Sequence, residues 1–135
     1  MKVELTGDPS RQNLLRRVTE ISGQNIFACY QCGNCSAGCP AAGAMDLLPS
    51  QVLRLLQIGL VEEAMASQTI WHCAACLICA ARCPKGVDLP RIMEALRELV
   101  LLRGMDHLAP QSIPPEDLEE WPQQAFVAGF RKYTA

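Results

Sequence analysis

Apolar residues recur along this chain at spacings of three and four, with polar residues between them, in several separate stretches. In the first, Leu14, Leu15, Val18 and Ile21 lie opposite Arg16, Arg17 and Glu20, which predicts an amphipathic helix. Asp8 and Pro9 mark its start, because Asp accepts hydrogen bonds from free helical N–H groups and Pro has no N–H to leave unpaired. Gly23 marks its stop. A second helix is expected to open at Pro49-Ser50, to carry Val52, Leu55 and Leu56 on one face, and to break at Gly59. A third runs from Leu60 to Ser67, with Glu62 and Glu63 outward and Val61, Ala64 and Met65 free to pack. The strongest pattern follows Asp88 and Pro90, where Ile92, Met93, Leu96, Leu99, Val100 and Arg103 repeat with a period near 3.6 until Gly104. No stretch alternates with period two over four or more residues, so the expected fold class is all-α.

Two cysteine runs interrupt this helical pattern. The first is Cys29-Tyr30-Gln31-Cys32-Gly33-Asn34-Cys35-Ser36-Ala37-Gly38-Cys39-Pro40, and the second is Cys73-Ala74-Ala75-Cys76-Leu77-Ile78-Cys79-Ala80-Ala81-Arg82-Cys83-Pro84. Both read C-x2-C-x2-C-x3-C-P, and each cysteine of the first has a counterpart 44 positions later. Thiolate is the soft ligand iron–sulfur clusters require, and this spacing is a signature of [4Fe–4S] ligation in which the fourth cysteine serves the other cluster. By that rule Cys29, Cys32, Cys35 and Cys83 hold one cluster, and Cys73, Cys76, Cys79 and Cys39 hold the other. Structural zinc is the competing reading. It also uses C-x2-C pairs, but it has no use for a third cysteine at the same spacing and a fourth before Pro. Gly33 and Gly38 are expected to supply left-handed turns around the first cluster. The second run has no Gly between its cysteines, and its alanines suggest a helix from Ala74 to Arg82. Each run is followed by a linker with an Asp, a Pro and a helix (Asp46 and Pro49; Asp88 and Pro90), which predicts a pseudo-two-fold internal repeat.

Composition narrows the partners. The chain has 135 residues, enough for one domain with extensions; half are apolar and only 5% aromatic, so Leu, Ile, Val, Met and Ala must build the core. The formal charge is −2; eight thiolates and two [4Fe–4S]²⁺ cores would take the loaded protein to about −6. With no basic stripe beyond Arg16-Arg17 and Arg131-Lys132, nucleic acid is not an expected partner. No apolar leader follows Met1, and the longest apolar stretch, Leu99 to Leu102, is far too short to span a bilayer, so a cytoplasmic protein without membrane insertion is expected. That compartment keeps thiols reduced, which favours metal over disulfides.

The remaining residues offer little chemistry. His72 precedes Cys73 and is a candidate hydrogen-bond donor to cluster sulfur; His107 is the only other histidine. Lys85, just past Cys83-Pro84, is a candidate to stabilise a reduced cluster. Phe27, Tyr30 and Trp71 each lie within two residues of a cluster cysteine, where they are expected to shield it from water. No Ser/His/Asp set, carboxylate pair, phosphate loop or flavin fingerprint is present, so no catalytic residue is assigned. A domain of residues 1–104 is expected to hold both clusters. After it, Pro110, Pro114, Pro115 and Pro122 break Met105 to Gln123 into irregular pieces around the acidic cluster Glu116, Asp117, Glu119 and Glu120. Phe126, Phe130 and Tyr133 then fall on one face of a short helix, and with Trp121 they suggest that residues 105–135 fold back on the domain or dock another protein of a complex.

The run Cys29 to Pro40, with its Tyr-Gln-Cys-Gly-x-Cys-Ser core, resembles the first cluster motif of the heterodisulfide reductase C-subunit family. The run Trp71-His72-Cys73 through Cys83-Pro84-Lys85-Gly86-Val87 resembles the second, and the likeness extends over roughly residues 10 to 104. The resemblance implies an α-helical ferredoxin-like protein with two [4Fe–4S] clusters ligated by the eight cysteines. It implies electron transfer between a flavin-containing protein of the A type and a catalytic protein of the B type, which has CCG-type cysteine motifs. Two other readings stand beside it: a free-standing dicluster ferredoxin, and the iron–sulfur subunit of a quinone-linked or other flavin-dependent oxidoreductase. The succinate dehydrogenase type of the latter would need a [2Fe–2S] domain that 28 residues before Cys29 cannot supply.

Overall fold

The computed structural model describes residues 9–104 and 109–131, so Asp8, His107 and Tyr133 lie outside the described residues. The chain divides into two compact units, Met1–Arg103 and Gly104–Ala135. Among the described residues every regular element is helical, an all-α fold. In chain order these are α1 (Pro9–Ser22), α2 (Asn34–Ala37), α3 (Pro49–Gln57), α4 (Val61–Ala66), α5 (Thr69–His72), α6 (Ile78–Arg82), α7 (Leu89–Leu101), α8 (Pro115–Glu120) and α9 (Gln123–Phe130), with single 3₁₀ turns at Ile26–Ala28, Ala42–Ala44 and Pro110–Ser112. None of these helices is long and apolar enough to cross a membrane.

In the first unit α7 is the hub. Asp88 caps it by accepting from the Arg91 N–H at 3.4 Å, Pro90 occupies its first turn, and Leu89, Ile92, Met93, Ala95, Leu96, Leu99 and Val100 are buried. It packs against α1, α4, α5 and α6. The apolar stripe of α1 sends Val18 into the core, while Ile21 stays partly exposed and Arg16 pairs with Glu20 at the surface. α3 buries Val52, Leu53 and Leu56 and packs on α4, which buries Val61, Ala64 and Met65. A turn at Gly59, left-handed at φ +81, makes the bend between α3 and α4. Arg103 differs from its expected place on the buried face of α7. It donates from both terminal nitrogens to Glu62, each at 2.9 Å, and ties the end of α7 to α4. The largest fully buried side chains include Leu56, Ile70, Ile92, Met93, Leu96, Val18, Val52 and Val61, an aliphatic core without an aromatic residue.

Two features depart from the sequence reading. α5 was hidden in the stretch Thr69–His72 because four residues are too few to show a period. In the second unit Pro114 and Pro115 start α8 instead of breaking the chain. Pro is compatible with the first turn of a helix, so the acidic residues Glu116, Asp117, Glu119 and Glu120 sit on a helical turn and a half. α9 follows, with Trp121, Phe126 and Phe130 stacked in series at centroid separations of 5.6 and 6.2 Å.

Candidate metal centres

Each cysteine run follows a short helical turn and leads into a short helix. Ile26–Ala28 precedes Cys29 and α5 precedes Cys73; α2 and α6 begin two residues after the second cysteine of each run. The backbone between is matched in the two copies. Gln31 (φ 63) and Gly33 (φ 81) are left-handed in the first, and their counterparts Ala75 (φ 51) and Leu77 (φ 65) are left-handed in the second. Only one of the four is glycine, and L-residues avoid this region by roughly 1–2 kcal/mol each. The expected helix from Ala74 to Arg82 is therefore corrected: it begins at Ile78. A continuous helix would string the thiols along a stripe, whereas two left-handed residues wrap them round one space. Gly38 is corrected too. Its φ of −102 is ordinary; the Arg82 side chain lies where a Cβ would be, 2.5 Å from it at Nε. Arg82, the counterpart of Gly38 in the second run, reaches across to donate to the Asn34 carbonyl at 3.2 Å. α2 and α6 thus meet as equivalent elements of the repeat.

Two cavities lie between the runs. Cys29, Cys32, Cys35 and Cys83 line one, together with Leu53, Val87 and Leu89. Cys73, Cys76, Cys79 and Cys39 line the other, together with Met45, Ile78 and Met93. Each gathers the first three thiols of one run and the last thiol of the other, and the first cavity has Cys79 in its wall as a fifth. Cys79 reaches both cavities. In each set the second cysteine, Cys32 or Cys76, is exposed, and the others are partly buried.

The donor set fits an iron–sulfur cluster. Four thiols line the second space and five the first, each within a largely apolar wall. Among the described residues no three His, Cys, Asp or Glu side chains are gathered closely enough to hold a single ion. Amide groups already point at sulfur in the first set: Gln31 donates to Cys29 Sγ from its backbone N–H at 3.4 Å and from Nε2 at 3.6 Å, and the Val87 N–H donates to Cys83 Sγ at 3.3 Å. Burial pushes the Cys35 thiol up and its counterpart Cys79 up to about 11. Loading with iron must then displace protons from both, since a ligating thiol is deprotonated.

Several supporting residues were not legible in the sequence. Asp46 does not cap the helix that follows it. It spans 22 or 23 residues to accept from the N–H groups of Gln68 and Thr69, both at 2.9 Å, and from the Thr69 hydroxyl at 2.7 Å. These bonds hold its carboxyl down at about 2. The loop after Cys39 is thereby fastened to the start of α5, which delivers Cys73. Gln57 on α3 donates from Nε2 to the carbonyls of Ile26 (3.2 Å) and Cys29 (2.7 Å). Arg97 on α7 donates from Nη1 to the carbonyls of Ile70 (2.6 Å) and Cys73 (3.2 Å). Ile70 and Cys73 are the counterparts of Ile26 and Cys29, 44 positions on.

The aromatic residues near the cysteines do not cover them. Phe27, Tyr30 and Trp71 are 63%, 58% and 43% exposed, because the wall of each cavity is filled by aliphatic side chains. Lys85 lies 5.7 Å from the centre of the Tyr30 ring, a cation–π contact at the surface. His72 ends α5 as an exposed residue.

Residues 11–88 match the model of the 4Fe-4S dicluster domain, more than half of the chain. This chain belongs to that family. Among its curated relatives is the C iron-sulfur subunit of the CoB--CoM heterodisulfide reductase of Methanopyrus kandleri, 38% identical over 80 residues, which cover 59% of this chain and 42% of the relative. The C 2 iron-sulfur subunit of the CoB--CoM heterodisulfide reductase of Methanocaldococcus jannaschii is 36% identical over 86 residues, 64% of this chain and 46% of the relative. A protein of Archaeoglobus profundus, named as like the C subunit of heterodisulfide reductase, is 31% identical over 84 residues, 62% and 45%. The chain matches less than half the length of each of these relatives. The resemblance read from the cysteine runs agrees with these names, and the dicluster family accounts for an iron–sulfur protein with eight cysteines.

Proposed function

We propose that this chain is the electron-transfer subunit of a heterodisulfide-reductase-like complex in the cytoplasm. Cys29, Cys32, Cys35 and Cys83 would hold one [4Fe–4S] cluster, and Cys73, Cys76, Cys79 and Cys39 the other. The observation that carries this reading is the pair of thiol-lined cavities, each with three cysteines of one run and the last of the other, and with Cys79 reaching both. When bound, the clusters supply one-electron oxidation and reduction. The chain's own residues do the rest. The crossed cysteines tie the halves together, the aliphatic walls limit water, and Cys79 narrows the gap between the two sites. Cys32 and Cys76 bring one edge of each site to the surface. Trp71, Leu77 and Ile78 lie exposed near the second edge, Phe27 and Tyr30 near the first, which suits burial against other proteins of a complex. The partners we assign are a flavin-containing protein of the A type and a CCG-motif protein of the B type, because the relatives are C subunits of heterodisulfide reductases.

Anaerobic purification of the tagged chain from its native host tests the proposal. The expected result is about eight irons and eight sulfides per chain, together with a co-purifying flavoprotein and a CCG-motif protein. A brown monomer that serves several unrelated enzymes would sink the complex and favour a free-standing ferredoxin. Two zinc ions and no sulfide would sink the redox reading altogether.

A further inference from the structure

The repeat is matched in its backbone but not in its charge. Gln57 and Arg97 occupy corresponding places: each reaches from the helix behind its run and donates to the carbonyl of the first cysteine and to the carbonyl three residues before it. In the first half the device is neutral. Gln57 also accepts from Gln31 Nε2 at 3.3 Å, and that same amide donates to Cys29 Sγ, so the two side chains orient a hydrogen bond onto a ligand sulfur. In the second half the counterpart of Gln31 is Ala75, which has no side-chain donor, and the place of Gln57 is taken by a guanidinium. Arg97 is partly buried and forms no ion pair with a carboxylate among the described residues, its α7 neighbours Glu94 and Glu98 included. Among the described residues its guanidinium donates to the two carbonyls of Ile70 and Cys73.

We infer that Gln57 and Arg97 are matched positioning residues, and that Arg97 additionally raises the reduction potential of the site built on Cys73, Cys76, Cys79 and Cys39. This inference rests on the cluster assignment proposed above. Covalent geometry keeps Cys73 Sγ within about 5 Å of its own carbonyl oxygen, so the guanidinium lies within about 8 Å of a ligand sulfur. Adding an electron to that site makes it more negative, and a cation at such a distance favours the reduced state. For a partly buried guanidinium the effective dielectric lies between about 20 and about 80, which gives about thirtyfold to about twofold, with about tenfold in the middle of that range. Exposed charges such as Arg54 and Lys85 near the first site act through water and are screened. The first site instead relies on the Gln31 amide, since hydrogen bonds to sulfur also favour the reduced state. The two halves thus set their potentials by different means, which lets each be adjusted without the other.

The test is an EPR-monitored redox titration of the loaded full-length chain. Arg97→Gln is expected to lower one couple about tenfold in equilibrium constant, or 59 mV for one electron, and to leave the other in place. Arg97→Lys is expected to keep most of the original value, and Gln31→Ala to lower the other couple. An unmoved couple in Arg97→Gln with full iron and sulfide, a shift of both couples together, or an equal shift in Arg97→Lys would overturn the inference. If Arg97→Gln loses iron, Gln57→Lys made on the Gln31→Ala chain decides instead, since no amide is left there to be misoriented. It is expected to raise the first couple about tenfold over Gln31→Ala, and no shift there would be equally decisive against it. Iron and sulfide missing from the unaltered chain would sink the cluster assignment, whereas full clusters with unmoved potentials sink only the role of Arg97.

Discussion

Asp46→Ala is the substitution that best separates a structural strut from a metal ligand. The carboxylate accepts three bonds from Gln68 and Thr69 and one more from the Leu47 N–H at 3.0 Å, and Thr69 itself is fully buried. Asp46 acts as a cap supplied from a distance, and losing such a cap costs about 1–2 kcal/mol, less than its count of bonds suggests because the carboxylate is bathed in water. At about 1.4 kcal/mol per decade this makes detachment of the Cys39 loop from α5 about tenfold more frequent. Cys39 and Cys73 line the same cavity, so the second cluster is expected to be lost about tenfold faster to an iron chelator at about pH 7, with the first little changed. Bleaching kinetics under argon, with EPR to tell the two signals apart, measure this. The pH dependence has a definite sign. The carboxyl falls from its ordinary 3.8 to about 2 on folding, so its stabilisation is complete at neutral pH and lost as pH drops from about 4 to about 2. In stopped-flow acid jumps over that window the wild-type and Asp46→Ala rates should converge. Equal acceleration of both clusters, or rates that stay apart below about pH 2, would refute the reasoning.

Other outcomes follow from the same geometry. Cys39→Ser is expected to remove the EPR signal of the cluster built mainly on the second run, and Cys83→Ser that of the first; loss of the same-run signal would count against the crossed ligand sets. Gly38→Ala places a Cβ 2.5 Å from Arg82 Nε, and because that side chain is exposed and flexible it should swing away and lose its bond to the Asn34 carbonyl. The cost should be no more than about 1 kcal/mol, read as slightly faster thermal bleaching, with no further loss when Arg82→Ala is added. Leu96→Ala, at the fully buried centre of α7, is expected to destabilise the first unit by about 2–5 kcal/mol and to bleach both clusters together in the same assay.

The sequence alone carried the ligand chemistry, because thiolate spacing is a local property that does not depend on the rest of the fold. It carried the helices as well, wherever a stripe of apolar residues had to face a core: Val18 on α1, Val52 and Leu56 on α3, Ile92 to Val100 on α7. It could not carry features that depend on where two distant segments meet. Ala75 and Leu77 have good helical propensity, yet both are left-handed, because the placing of Cys73, Cys76 and Cys79 overrides a cost of roughly 1–2 kcal/mol per residue. Gly38 looked like a turn residue until Arg82 was seen lying against it. Asp46 reaches across 22 residues, and Gln57 and Arg97 across 24 to 31, to backbone groups that no local pattern marks. The eight cysteines announced a dicluster chain by their spacing, and the crossed rule named the two sets of four; which edges meet solvent and which half bears a guanidinium with no carboxylate partner among the described residues were decided by packing, since each depends on elements brought together only in the folded chain.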